Sequence, residues 1–251
     1  MKLKILGSSS AGNCYVLQPE KGAALVLEAG VTAQNLGKAV TFRWSEIAGV
    51  FITHEHQDHA AHVKDYQRRG LKVYATTGTA EKLENQNILR IDENPTKKLK
   101  VGDFTIIWFD TIHDAAQPCG YYINHPEMGN LLFVTDTGEI NKRFTGINHL
   151  LIETNYDPDN KAFNDLTKSY IERVRLSHLS IKQAENFIIE NCAVKDLFNV
   201  VLIHLSSRHA DKKEFKKRIE TVCRNNAIGA KVHIATPWLC VNLNDYKNLS
   251  F

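Results

Sequence analysis

Six consecutive residues, His54-Glu55-His56-Gln57-Asp58-His59, constrain this chain more than any other stretch, because four of them are metal-binding types at a spacing that packing does not require. With 11 histidines among 251 residues, an H-x-H-x-D-H string arises by chance roughly 0.001 times in a chain of this composition. Ile47, Val50, Phe51 and Ile52 before it read as a buried strand. Val63 and Tyr66 after it, set among Lys64, Asp65, Arg68 and Arg69, read as a helix with one buried face. The spacing therefore predicts His54 and His56 on a loop at a strand end, and Asp58 and His59 at a helix start.

The same grammar recurs downstream. The apolar run 104–109 delivers His113, the run 131–134 delivers Asp136 before Thr137-Gly138, and the run 199–203 delivers His204. Taken singly, a histidine after a strand is more often a satisfied surface or core residue, and an aspartate before Thr-Gly is a common turn former. A ligand type at the end of one apolar strand after another favours the metal role. The run 150–152 ends in Glu153-Thr154-Asn155-Tyr156-Asp157, to which the sequence assigns no role. His178 precedes Ser180 and Gln183, a capping box, and is expected beside a helix N-terminus.

Elsewhere, Leu3 and Ile5 alternate with Lys2 and Lys4 as a half-buried strand leading into Gly7-Ser8-Ser9-Ser10-Ala11-Gly12-Asn13, which reads either as an anion-cradling nest or as a plain turn. Residues 15–17 and 24–27 form a predicted hairpin around Pro19-Glu20-Lys21-Gly22. Strands are expected at 72–76, 121–124, 231–235 and 238–243, a short helix at 79–85 and a polar turn at 94–103. A helix opened by Asp211 and Glu214 carries Lys212, Lys213, Lys216, Lys217, Arg218 and Arg224, either a nucleic-acid-binding face or a solvated surface. His62, His125, His149, His209 and His233 lack a supporting feature and read as structural.

The motif between strand and helix resembles the metallo-β-lactamase superfamily over the whole chain, which implies an α/β (α+β) fold, a four-layer αβ/βα sandwich. The superfamily pattern implies that His54, His56 and His113 hold one metal, that Asp58, His59 and His204 hold another, and that Asp136 bridges them. Where relatives usually carry aspartate this chain has Glu28, which is expected to orient a ligand histidine. The segments Gly7 to Asn13, Ile52 to His59, Asp136-Thr137-Gly138, His178-Leu179-Ser180 and His204-Leu205-Ser206 are most similar to the YycJ/VicX-like branch, associated with DNA exonuclease activity in bacteria. Tyr156, where relatives often have histidine, and Arg208-His209 depart from that branch.

The resemblance implies two divalent ions, zinc or else manganese or iron, and hydrolysis by a metal-bridging hydroxide. Asp58 and His178 are assigned to the chemistry. His178 would contact the scissile phosphate or protonate the leaving oxygen, or else would be a helix-start histidine bonded to backbone. Ser9 and Asn13, with His178, are the expected substrate contacts. A nucleic-acid substrate, DNA favoured, is the leading expectation; the alternative is a small-molecule hydrolase acting on a β-lactam, lactone or thioester. A non-catalytic metal protein is disfavoured, since structural sites are closed and mononuclear.

Composition adds bounds. Hydrophobic residues at 43% and charged residues at 24% are ordinary globular values, and a net charge of +3 selects no partner. One domain over 1–251 is expected. Five cysteines without C-x-x-C spacing argue against a disulfide scaffold or Cys-rich zinc site, and fit a reducing cytoplasm. No signal-peptide core or run of roughly 18 apolar residues is seen, so no membrane association is expected.

Overall fold

The computed structural model describes residues 1–192 and 196–244. In chain order the elements are β1 (Lys2–Gly7), β2 (Cys14–Gln18), β3 (Ala24–Leu27), α1 (Ala33–Ala39), β4 (Ile47–Phe51), α2 (Gln57–Ala60), α3 (Val63–Arg68), β5 (Val73–Ala75), α4 (Thr77–Lys82), β6 (Leu89–Arg90), β7 (Leu99–Val101), β8 (Phe104–Asp110) and β9 (Cys119–His125). Then follow β10 (Gly129–Val134), β11 (His149–Glu153), α5 (Lys161–Asn164), α6 (Lys168–Ser177), α7 (Ile181–Asn191), β12 (Asn199–Ile203), α8 (Lys212–Asn225), β13 (Lys231–Ile234) and β14 (Cys240–Asn242). The chain divides into two compact units. One comprises Met1–Asp110, Ala115–Met128 and the chain from Thr236 onward, the other Thr111–Asp114 and Gly129–Ala235.

In the first unit a sheet runs in the order β14-β1-β2-β3-β4-β5-β6. The predicted hairpin is β2 against β3, with Tyr15 opposite Leu27. From β3 to β6 the pairing is parallel, which requires crossovers, and the helices that supply them bury their apolar stripes on the sheet. Leu36, Val63 and Tyr66 from helices join Val16, Val26, Val50 and Val73 from strands in one buried cluster. β7, β8 and β9 form an antiparallel ladder in the same unit. β7 lies inside the stretch expected to be a polar turn; only Val101 of its three residues is buried, so it carries little apolar signal.

The second unit is built on the parallel strands β10-β11-β12-β13. Every residue of β11 and β12 is buried, which is why both read as continuous apolar runs instead of alternating ones. α7 opens on the expected capping box, Ser180 with Gln183. Asp211 caps α8 by accepting the N–H groups of Lys213 and Glu214.

Several elements differ from expectation. α4 begins at Thr77 because Thr76 caps it, its side chain accepting from Thr79 N. The last strand is confined to Cys240–Asn242, since Trp238 is left-handed at φ 67°. α6 is unforeseen: only Val174 and Ser177 are buried in it, so no apolar stripe announces it. No helix among the described residues is long and apolar enough to cross a membrane.

Candidate metal centre

In the first unit, β4 runs through buried Ile52 and Thr53 into the motif. His54 is buried with Nδ1 at 2.9 Å from Thr53 Oγ1, and its ring centroid lies 4.7 Å from that of His56 and 4.1 Å from that of His59. Asp58 and His59 occupy the first turn of α2, as the spacing predicts. Backbone hydrogen bonds stitch this turn to two other loops: Asn13 N–H donates to Asp58 O at 2.7 Å, and Ala29 N–H to His59 O at 2.7 Å. Gly30 is required at that junction, because a Cβ there would fall 1.8 Å from Asp58 O.

Glu28 lies beside His59. It is fully buried in the left-handed region at φ 69°, with Oε1 3.4 Å from His59 Nδ1 and Oε2 accepting Thr53 N–H at 3.3 Å. Asn13 is 1% exposed, and its Nδ2 lies 3.2 Å from both Asp58 Oδ2 and His59 Nε2 and donates to Ser9 O at 3.1 Å. The amide expected to face substrate is thus engaged with the motif itself. Ser9 Oγ accepts Ala11 N–H at 3.2 Å within the loop.

In the second unit the strand ends converge. Asp136 follows β10 and His204 follows β12, both left-handed at φ 45° and φ 50°, a sparsely populated conformation in which a sharp turn sets each side chain beyond its strand. Asp136, Glu153, His178 and His204 each offer a ligand atom, all within 4.8 Å of one another. His204 Nδ1 lies 3.3 Å from Asp136 Oδ1, and His113 Nε2 lies 3.8 Å from Asp136 Oδ2. His178 is the C-cap of α6, two residues before the Ser180 cap of α7.

Glu153, the residue without a sequence role, organises this set. It is fully buried, its Oε1 lies 2.7 Å from His178 Nδ1 and 3.0 Å from His204 Nδ1, and its Oε2 accepts the N–H groups of Thr137 at 3.1 Å and Leu179 at 3.0 Å. Burial opposes its ionisation, but the His178 charge and the two imidazole hydrogen bonds hold it below the usual carboxylate range. Burial likewise disfavours the His178 cation, and the Glu153 charge and hydrogen bond, with Asp136, overcome it and raise His178. At His113, whose Nδ1 bonds Ser177 O at 2.8 Å, burial outweighs the Asp136 charge and lowers it. The signal in the sequence was a carboxylate ending an apolar strand, the same grammar as Asp136.

The residues fit a divalent metal. The donors are imidazole and carboxylate, the mixture that suits zinc, manganese and iron. Nδ1 is held by Thr53 in His54, Ser177 in His113 and Glu153 in His204, the arrangement by which ligand histidines are oriented for coordination through Nε2, and Glu28 approaches His59 Nδ1 at 3.4 Å. Two buried carboxylates so close together also call for a compensating cation.

The beta-lactamase superfamily domain profile matches residues 27–205. The chain belongs to this superfamily and is a hydrolase of the metallo-β-lactamase fold, a mixed α/β architecture. It is 30% identical over 175 residues to an exodeoxyribonuclease, YycJ, of Bacillus anthracis, a match covering 62% of this chain and 64% of that protein's length. Among solved structures it resembles the metallo-beta-lactamase fold protein YhfI of Bacillus subtilis, with 19% identity, a TM-score of 0.72 and coverage of 96% of this chain and 98% of the other. It also resembles a metallo hydrolase of the archaeon Ignicoccus hospitalis, at 18% identity, TM-score 0.66 and coverage of 96% and 98%.

Proposed function

We propose that the protein is a two-metal phosphodiesterase acting on nucleic acid, with exonuclease-type action on DNA the favoured reaction. The observation that carries this reading is the placement of His178. Its side chain is 16% exposed, against 2% for His113 and 5% for His204, while Glu153 fixes its ring through Nδ1. An anchored imidazole more open than its neighbours suits a group that meets substrate. The 30% identity to an exodeoxyribonuclease supports the choice of phosphodiester and of DNA.

In this reading His54, His56 and His113 hold one ion, Asp58, His59 and His204 the other, and Asp136 serves both, following the superfamily pattern. The family match runs through residues of both units, which supports one domain over 1–251. Two divalent ions held there would supply a nucleophilic water at neutral pH and stabilise the charge developing on the phosphate. Asp58 is held against His59 by Asn13 and participates in the chemistry as well as in binding. His178, its cationic form favoured by Glu153, contacts a phosphate oxygen or gives a proton to the leaving oxygen. Ser9 and Asn13 contribute to the substrate side through their shared loop. The five cysteines, all free, support a reducing compartment, the cytoplasm.

The test is cleavage of end-labelled single- and double-stranded DNA and RNA by the metal-loaded protein, beside a panel of β-lactams, lactones and thioesters. Metal-dependent shortening of DNA from one end is the expected result. Turnover of a panel member with no strand cleavage replaces this reading with the small-molecule one.

A further inference from the structure

We propose that the loop of residues 206–213, in the second unit, is a phosphate-binding subsite for a nucleic-acid strand, with Arg208, Lys212 and Lys213 as its charges and His209 as its buried wall; it rests on the phosphodiesterase reading above. The loop begins two residues after His204, and Ser206 Oγ shapes it by accepting the N–H groups of Arg208 at 3.3 Å and His209 at 3.2 Å. Asn160, Arg208, His209, Lys212 and Lys213 line a pocket of about 440 Å³ there.

His209, expected to be structural, is 8% exposed, and its buried Nδ1 has no hydrogen-bond partner among the described residues. Phe163 and Tyr170 hold the ring edge-on, at centroid distances of 5.5 and 6.0 Å. Neither ring offers that nitrogen a polar partner, and a buried polar atom without one is costly.

The charge is arranged to match. Arg218, expected on the basic face of α8, is withdrawn from it: Nε and Nη2 each bind a Glu185 oxygen at 2.7 Å, and Nη1 lies 3.2 Å from Asp157. Lys216 lies 3.7 Å from Glu220. Arg208, Lys212 and Lys213 are exposed and have no carboxylate partner among the described residues, so three uncompensated charges border the pocket, with exposed Lys217 and Arg224 further along α8. Asp211 is the one acid in the lining, and its Oδ1 accepts Lys213 N–H and Glu214 N–H at 3.0 Å each. A strand leaving the metal centre of the same chain carries phosphates at every nucleotide, the one ligand class that needs repeated subsites of this kind.

The test is fluorescence anisotropy of the protein as purified with a cleavage-resistant phosphorothioate oligodeoxynucleotide, made with a 5′-phosphate and with a 5′-hydroxyl. The variant Arg208→Gln/Lys212→Gln/Lys213→Gln is expected to bind about tenfold more weakly and to lower the slope of log affinity against log salt by about 2 to 3. Arg208→Lys restored within that variant should recover part of the loss. Loss confined to the phosphorylated strand assigns the pocket to a strand end, and equal loss for both assigns it to internal phosphates. Equal affinities and slopes for wild type and variant overturn the subsite, as does a wild type that binds neither strand. The function fails separately: a wild type that binds strands through this pocket but cleaves none overturns the phosphodiesterase reading alone.

Discussion

Nδ1 of His178 lies 2.7 Å from Oε1 of Glu153, and the same oxygen lies 3.0 Å from Nδ1 of His204. One buried carboxylate therefore sets the ring orientation of both a proposed catalytic histidine and a proposed metal ligand, while two backbone N–H groups fix its other oxygen. Removing the charge while keeping the shape isolates this role. Glu153→Gln is expected to lower turnover about 10- to 100-fold, with metal affinity weakened in parallel, the range typical of groups that orient ligand histidines. Turnover and metal content equal to wild type would show that the orientation comes from packing alone.

Gly30→Ala is expected to damage the first unit without replacing any proposed ligand side chain. The new Cβ would meet Asp58 O at 1.8 Å and Asn13 N at 2.5 Å, both backbone atoms that cannot swing aside. The turn bearing Asp58 and His59 must move, at a cost of roughly 1 to 3 kcal/mol for such overpacking. A thermal melt should shift down by several degrees, and metal should be held less tightly; a variant that melts and binds like wild type contradicts the close approach.

Much of this was legible because ligand types stand at the ends of apolar strands. His54, His113, Asp136 and His204 could each be placed from the run before it, and the Ser180–Gln183 box located α7. Glu153 obeyed the same rule yet was passed over, because a carboxylate that bonds histidines looks in sequence like any polar strand end. The engagement of Asn13 with Asp58, 45 residues away, has no local signature at all. Nor does the Arg218–Glu185 pair, which removes from the surface a charge that the helix pattern had counted as exposed.

The thiols give a check on core integrity. Cys14, Cys119, Cys192 and Cys223 are buried, and burial pushes Cys14 and Cys192 up to about 12 and Cys223 up to about 11, while Cys119 is raised as well. A thiol near 12 is ionised to roughly one part in 10⁴ at pH 8, and the thiolate is the reacting form. Cys240 is exposed. A disulfide reagent at pH 8 should therefore titrate one thiol quickly in the native protein and five in guanidinium. Two or more fast native thiols would mean that the core opens readily or that a buried assignment is wrong.

Metal binding should also appear as stability. Asp136 and Glu153 are 3% and 0% exposed, and each has an oxygen close to His204 Nδ1, at 3.3 and 3.0 Å. Bringing two carboxylates together out of water is unfavourable unless positive charge accompanies them, and a divalent ion supplies more than partial protonation of the imidazoles can. An ion present at about 100 times its Kd stabilises by about 2.7 kcal/mol, which in a domain of this size corresponds to a Tm rise of roughly 5 to 10 °C. Zinc or manganese added to chelator-treated protein should produce that rise, with elemental analysis approaching two ions per chain. In Asp136→Asn the rise should shrink, because the proposed shared ligand and one of the two buried charges are both weakened. Less than one ion per chain after reconstitution, with a Tm indifferent to metal, would remove the two-metal assignment.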